Sequence, residues 1–315
     1  MRLIYSILKR FSNRDLLDIR KIITDILSIK LPHRERSKLF WENGNYMKNL
    51  YISPASPSKD DLNIYKTYLT DNKQDNKKVL LLGSTPLLRN LLKELGFRNY
   101  VIADFSFIII ENSLQTLNKL KIDLNTENEI WLKSGWLEMP LESESFDYIV
   151  GDMVFTQIEP NKQSLFVKKM ASLLKSNGRF IGRMQICNTN SDNKDPQKII
   201  EKMVTSETFE NTAEQRFALL YRLRNGLRNK KTQTTSPQKI VDEILRYRYE
   251  NETELEFLKS VLKMISKRAE IRLPFITQTK DELENVISKE FSLETIVTAS
   301  DYASEYFPIY VLKKT

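Results

Sequence analysis

Residues 77–106 read KKVLLLGSTPLLRNLLKELGFRNYVIADFS. An apolar run, Val79 to Leu82, stops at Gly83-Ser84-Thr85-Pro86. Leu87, Leu88, Leu91, Leu92 and Leu95 then recur at helical spacing up to Gly96. A second apolar run, Tyr100 to Ala103, is closed by an acid, Asp104. Strand, tight turn, helix, strand and acid make the nucleotide-binding half of an open parallel sheet. Asp104 lies 21 residues after Gly83, about where such folds place the carboxylate that grips a ribose. The stretch therefore predicts a cofactor site.

Working outward, composition limits the remaining choices. With 315 residues, 41% of them hydrophobic and 29% charged, the chain has the makings of a soluble protein with a full core. A single cysteine, Cys187, excludes an intrachain disulfide and suits a reducing compartment, so a cytoplasmic location is expected. A single histidine, His33, excludes His-rich metal sites and a His-based triad in the main domain, and no metal site is expected. No apolar run approaches the roughly 18–20 residues of a membrane span. The formal charge of +8 is concentrated at one end: residues 1–40 hold ten Lys/Arg against four Asp/Glu, a net of +6. This basic arm suits an acidic partner or nucleic acid, and equally a solvated helical extension.

Residues 3–29 carry apolar positions at helical spacing, broken at Ser12-Asn13 and ended by Pro32. An aromatic-rich segment runs from Leu39-Phe40-Trp41 to Tyr51, and a short helix is expected from Lys59 through Tyr68. Aromatic residues just ahead of a cofactor-binding strand fit either a cover over its mouth or ordinary core packing. After Asp104, alternation continues: a helix over Phe107–Leu120, a strand over Glu129–Lys133, and a strand over Ser145–Val150 opening onto Gly151-Asp152-Met153. A helix over Gln163–Leu174 follows, then a turn at Ser176-Asn177-Gly178-Arg179, then a strand over Phe180–Met184. Five strands alternating with helices predict a parallel sheet covered on both faces. From about Ser191 to Glu290 only helical patterns appear: Ile199–Val204, Ala213–Arg228, Pro237–Tyr249 and Glu252–Lys267, with a polar linker at Lys230–Ser236. Strands return at Ser292–Ala299 and Phe307–Leu312 as an expected hairpin.

Taken together, this order resembles the class I S-adenosylmethionine-dependent methyltransferases, which have a seven-stranded, mostly parallel Rossmann-like sheet whose last strand is antiparallel. VLLLGSTPLL stands at the family's glycine-rich first motif and VIADFS at its second strand with the acid. SGWLEMPLESESFDYIVGD matches the segment leading into the fourth strand, and LFVKKMASLLKSNGRFIGRM the following helix, turn and fifth strand. Leu81 replaces an acid common in the first motif, Thr85 and Leu87 replace its later glycines, and Gly135 replaces an acid before Trp136. In these departures it is similar to a subgroup with LGxTP in place of the glycine-rich motif. The resemblance implies a basic helical extension over 1–38, a methyltransferase core over 39–190 and 290–315, and a helical insertion over 191–289 before the last two strands.

The resemblance also implies S-adenosyl-L-methionine as cofactor. Gly83, Ser84 and Thr85, with the helix N-terminus behind them, would hold the methionine carboxylate. Asp104 would accept the ribose diol, Phe105 and Trp136 would line the adenine, and Ser106, Gly135, Asp152 and Met153 complete the expected cofactor set of ten. Asp152, beside the methyl donor, is the candidate catalytic base or a structural hydrogen-bonding acid. The helix over Ala213–Lys231 holds six Lys/Arg against one acid, which suits an anionic acceptor, an RNA or a solvated face. Three functions follow: methyl transfer to a small-molecule acceptor, a catalytically silent binding protein of the same fold, or an RNA methyltransferase.

Overall fold

The computed structural model describes residues 31–42, 53–70, 76–123, 125–187, 195–301 and 304–315. The expected helices of residues 3–29 and the stretch 43–52 lie outside them. Helices α1 (His33–Trp41) and α2 (Lys59–Leu69) precede β1 (Val79–Leu82), α3 (Pro86–Glu94), β2 (Tyr100–Asp104), α4 (Phe107–Lys119) and β3 (Glu129–Lys133). Next come β4 (Phe146–Asp152), α5 (Gln163–Leu173) and β5 (Leu174–Arg183). Four helices follow, α6 (Pro196–Val204), α7 (Ala213–Gly226), α8 (Pro237–Arg246) and α9 (Glu252–Glu270), with β6 (Thr234–Thr235) between α7 and α8 and β7 (Phe275–Ile276) after α9. The chain closes with α10 (Lys280–Ile287), β8 (Phe291–Val297) and β9 (Ile309–Lys314).

Seven strands form one sheet in the order β3-β2-β1-β4-β5-β9-β8. All pairings from β3 to β5 are parallel, and β9 runs antiparallel between β5 and β8. This is the Rossmann-like methyltransferase sheet expected from the sequence, with helices on both faces. Side chains alternate across it with period two. Leu80, Leu82, Ala103, Ile149 and Phe180 meet Phe166 and Met170 of α5 on one face. Val79, Leu81, Ile102, Val150 and Ile181 meet Tyr65 of α2, Leu88 and Leu92 of α3 and Ile110 of α4 on the other. Leu81 is fully buried in that second layer, so an acid at its position would enter an apolar core.

Three local expectations change. Ser176–Arg179 lies within β5, which begins at Leu174 rather than Phe180. Phe146 pairs with Leu174 and Tyr148 with Arg179, so Lys175 to Gly178 oppose only Asp147. The turn survives as a bulge, closed by the Lys175–Asp147 ion pair at 2.7 Å. Helix α1 crosses the expected boundary at residues 38 and 39. The insertion contains more than helices, because Thr234-Thr235 pairs with Phe275-Ile276 as a small antiparallel ribbon.

Helices α6 to α9 share their own apolar cluster, with Ile200, Leu219, Ile240, Phe257 and Val261 at its centre. The chain rejoins the sheet's core at α10, capped by a Thr279–Glu282 capping box. Leu283 and Ile287 of this helix pack in the same layer as Phe166 and Met170.

One polar pair is built into the sheet's edge. Arg89 of α3 is 1% exposed and forms an ion pair with Glu129 of β3, whose side chain is 3% exposed. Arg89 also donates to Ile110 O at 2.9 Å and to Ser113 Oγ at 2.6 Å, while Tyr100 Oη donates to Glu129 at 3.1 Å. Removing one member leaves a buried charge without its counterion. Arg89→Met is expected to cost about 3–5 kcal/mol in urea denaturation, and Arg89→Met combined with Glu129→Leu to recover most of that loss.

Candidate functional site

The strand order reverses between β1 and β4, where β1 continues to β2 on one side and β4 to β5 on the other. Crossover helices leave a crevice at the carboxyl ends of strands at such a switch point. A cavity of about 210 Å³ lies there, bordered by Leu82 and Gly83 after β1, Asp104 at the end of β2 and Asp152 at the end of β4. Eight of the ten expected cofactor residues border it: Gly83, Ser84, Thr85, Asp104, Phe105, Trp136, Asp152 and Met153. Ser106 and Gly135 do not. Ser106 is 1% exposed, donates its N–H to Asp104 Oδ1 at 3.1 Å and its hydroxyl to Glu42 at 2.6 Å. Its place is beneath the carboxylate, not at the cavity wall. A side chain at Gly135 would run into Glu138 Oε2 at 2.3 Å and Arg34 Nη2 at 2.8 Å, so this glycine makes room for a surface ion pair.

Gly83 turns the chain out of β1 with φ +78, a conformation that favours glycine. Its N–H donates to Ala103 O at 2.9 Å, and Trp136 Nε1 donates to the same carbonyl at 2.8 Å. The indole N–H is therefore spent on β2, and Trp136 offers the cavity ring surface. Beyond Gly83, Ser84 Oγ is buried with no hydrogen-bond partner. Thr85 at the N-cap of α3 makes no side-chain cap, and no acid stands in the first turn. The positive end of the helix dipole is thus left uncompensated beside an orphaned hydroxyl. Ser56 Oγ, on the same cavity, is a second buried hydroxyl without a partner. Orphaned buried polar atoms are rare in folded proteins, and two bordering one cavity fit a polar ligand.

Asp104 is 5% exposed. Burial pushes its carboxyl up to about 7, against the pull of the backbone N–H groups of Ser106 and Phe105, and nearby Glu42 pushes the same way. Asp152 has a different setting. Its two oxygens accept from Arg183, Oδ1 from Nε at 2.7 Å and Oδ2 from Nη2 at 3.1 Å. Arg183 Nη1 reaches Asp61 Oδ2 at 3.1 Å, and Asp61 closes the capping box that starts α2. Burial would lower the guanidinium's proton affinity, but the charge of Asp152 and then of Asp61 outweighs it and raises it. Burial also raises the carboxyl of Asp61, against the charge of Arg183. Asp152 is thus a member of a buried, bidentate ion pair whose oxygens are already engaged.

The opposite wall comes from residues that no motif marked. Helix α7 contributes Phe217, Leu220, Tyr221 and Arg224, α9 contributes Arg268, and β7 contributes Phe275 and Ile276. Phe40 and Trp41 of α1 also border the cavity, and Trp41 Nε1 donates to Gln157 at 2.9 Å. The aromatic segment at Leu39–Tyr51 was the signal for the last two. Nothing local pointed to Ser56, Arg268 or Phe275. Not all the cations of residues 213–231 form a solvated stripe: Arg224 of α7 is 4% exposed, and Arg228, just past the helix end, pairs with Glu282 of α10. Among the described residues, no three His, Cys, Asp or Glu side chains gather as metal ligands, and no helix is long and apolar enough to cross a membrane.

No family profile and no curated protein matches the sequence. Solved structures do match. A Rhodobacter sphaeroides protein named for Zn-dependent alcohol dehydrogenases is 13% identical with a TM-score of 0.51, over 87% of this chain and 98% of that one. A SAM-dependent methyltransferase from Methanosarcina mazei is 13% identical with a TM-score of 0.49, over 82% and 98%. The PH0226 protein from Pyrococcus horikoshii OT3 is 14% identical with a TM-score of 0.47, over 81% and 89%. Likeness at these identities concerns the fold alone.

The state of Asp104 has a measurable cost. Between about pH 4 and 7 the folded protein keeps a proton that the unfolded chain has released, so stability falls as pH rises through that window. Above it the cost is on the order of 4 kcal/mol, a large share of a domain's stability. Asp104→Asn removes the ionisation, so its melting temperature is expected to exceed that of the unmodified protein, by more at pH 8 than at pH 5. Equal or lower melting temperatures at pH 8 would contradict this account of the carboxyl.

Proposed function

We propose that this protein transfers a methyl group from S-adenosyl-L-methionine to a small-molecule acceptor. The observation that carries the reading is the buried Asp104 carboxyl at the end of β2, facing the same cavity as the orphaned Ser84 hydroxyl and the uncapped start of α3. A site that keeps a desolvated acid at a stability cost is organised for a ligand. Asp104 would accept the ribose hydroxyls, which only its ionised form does with both oxygens. Ser84, Thr85 and the α3 N-terminus would hold the amino-acid carboxylate, where the helix dipole favours an anion. Phe105, Ile109 and Trp136 supply flat and apolar surface for the base.

When bound, the cofactor supplies a methyl group on a positively charged sulfur. Displacement from such a centre depends on alignment and exclusion of water more than on a strong base. This chain's residues suit that division of labour. Asp152 has both oxygens committed to Arg183, so its part is to fix the wall of the site rather than to take a proton. Met153, with φ 51, donates its N–H to Arg183 O at 2.8 Å and packs against the Phe217–Tyr221 cluster. Burial holds the Tyr221 hydroxyl above its ordinary range, so it is neutral and can donate a hydrogen bond. The aromatic wall from α7 keeps water from the crevice.

Calorimetry with S-adenosylhomocysteine tests the reading. Binding is expected, about tenfold weaker at pH 6 than at pH 8, because the free site must lose the Asp104 proton to accept the ribose. Asp104→Asn is expected to weaken binding at pH 8 and to flatten the pH dependence. No binding at millimolar ligand would overturn the proposal, and would favour a silent protein of the same fold.

A further inference from the structure

The acid at the end of β2 has a second acid behind it. Asp104 Oδ1 accepts the N–H of Ser106 at 3.1 Å, and the hydroxyl of the same serine donates to Glu42 Oε1 at 2.6 Å. Glu42 is the residue at which α1 ends. Helix α1 itself touches both parts of the fold. Arg34 pairs with Glu138 after β3 at 3.3 Å, and Trp41 donates to Gln157 after β4. On the side of the insertion, Arg36 Nη1 donates to Arg272 O at 2.6 Å, and Phe40 packs with Ile271 and Leu273. Phe40 and Trp41 also border the cavity. Helix α1 therefore bridges the loops at the strand ends and the end of α9, and Glu42 joins it to the turn that carries Asp104.

We infer that Glu42 is a positioning residue for Asp104: through Ser106 it anchors α1 to the turn after β2 and brings a second negative charge to bear on the acid at the cavity. Its part in cofactor binding rests on the proposed methyl transfer, but the link among the three side chains stands on its own geometry. A neutral amide at position 42 would accept the same hydrogen bond from Ser106. A carboxylate there adds a like charge near a desolvated acid, which favours the protonated form of that acid. Burial is the larger cause acting on the Asp104 carboxyl, and Glu42 is the charged side chain named with it. The other charged groups around Asp104 have different neighbours. Asp152 is gripped by Arg183, and Lys133, which pairs with Asp104 in the sheet register, lies over the ring of Phe107 at 5.9 Å. Neither these nor Arg224 and Arg268 of the cavity border are among the causes acting on the Asp104 carboxyl. Glu42 thus fixes the turn that orients Asp104 and keeps the free acid protonated. A ligand with paired hydroxyl donors, such as a ribose, supplies the hydrogen bonds that favour its ionised form.

Two substitutions in the full chain separate the charge from the hydrogen bond. Glu42→Gln keeps an acceptor for Ser106 and removes the charge. Without ligand, its fall in melting temperature between pH 5 and pH 8 is expected to be smaller than that of the unmodified chain, because ionising Asp104 then costs less. Its affinity for S-adenosylhomocysteine is expected to rise about threefold at pH 6 and to change little at pH 8, since the free site holds its proton less tightly. Ser106→Ala keeps the backbone bond to Asp104 but cuts the tie to α1, and is expected to weaken binding about tenfold at both pH values. The Glu42→Gln results stand by themselves if Ser106→Ala fails to fold. A melting profile that Glu42→Gln leaves unchanged would overturn the inference, as would S-adenosylhomocysteine binding that neither variant alters; the second result would leave the methyltransferase reading intact. A smaller fall in the variant, with no S-adenosylhomocysteine binding by the unmodified chain, would uphold the link to Asp104 and overturn that reading. An unchanged profile with no binding would overturn both.

Discussion

A single buried cation, Arg183, holds together the parts on which the site depends. It ends β5, grips Asp152 at the end of β4, and reaches Asp61 in the first turn of α2. Its backbone N–H donates to Tyr65 Oη at 2.6 Å, and that hydroxyl donates to Gly151 O at 2.7 Å. Its guanidinium lies over Phe307 at 5.5 Å, at the entry to β9. Two strands, a helix and the approach to a third strand are thus fixed relative to one another by one side chain. Such a network is costly to bury, and only complete satisfaction makes it tolerable. Here two carboxylates share one cation, with hydroxyl and backbone groups completing the hydrogen bonding.

This network explains why the fourth strand's acid is not a free reagent. A carboxylate at a strand's carboxyl end, beside a ligand crevice, invites a catalytic assignment. The bidentate contact with Arg183 uses both of its oxygens and turns Asp152 into part of the frame. Asp104 is the opposite case. No cation is among the causes acting on its carboxyl; burial dominates, and the proton affinity rises to about 7. The two acids stand at the ends of β4 and β2, and their partners alone separate a paired carboxylate from a desolvated one.

Across the crevice, the helices inserted between β5 and β8 supply what the sheet cannot. The strand ends present glycine, hydroxyls and an acid. Helices α7 and α9, with the short ribbon at β7, present rings and guanidinium groups. A polar gradient runs from one wall to the other.

The stretch from Lys77 to Ser106 was enough by itself to predict β1, the turn at Gly83, α3, β2 and the closing acid, because each depends on local rules. Period-two and period-3.6 apolar spacing, a glycine at positive φ and an acid at a strand end are all written in consecutive residues. The hairpin of β8 and β9 was legible from its own pattern, but the antiparallel place of β9 beside β5 only through its likeness in order to a known sheet. Partner choice was not legible at all. Asp61 and Arg183 are 122 positions apart in sequence, and Phe40 and Arg268 are 228 apart. Nothing in either neighbourhood marks one for the other. Burial decides which acid is paired and which is left desolvated, and burial arises only when the sheet, α2 and the inserted helices close on one another. Sequence located the crevice at Gly83 and Asp104; tertiary packing committed the oxygens of Asp152 to Arg183 and brought Arg224 and Arg268 to the same cavity.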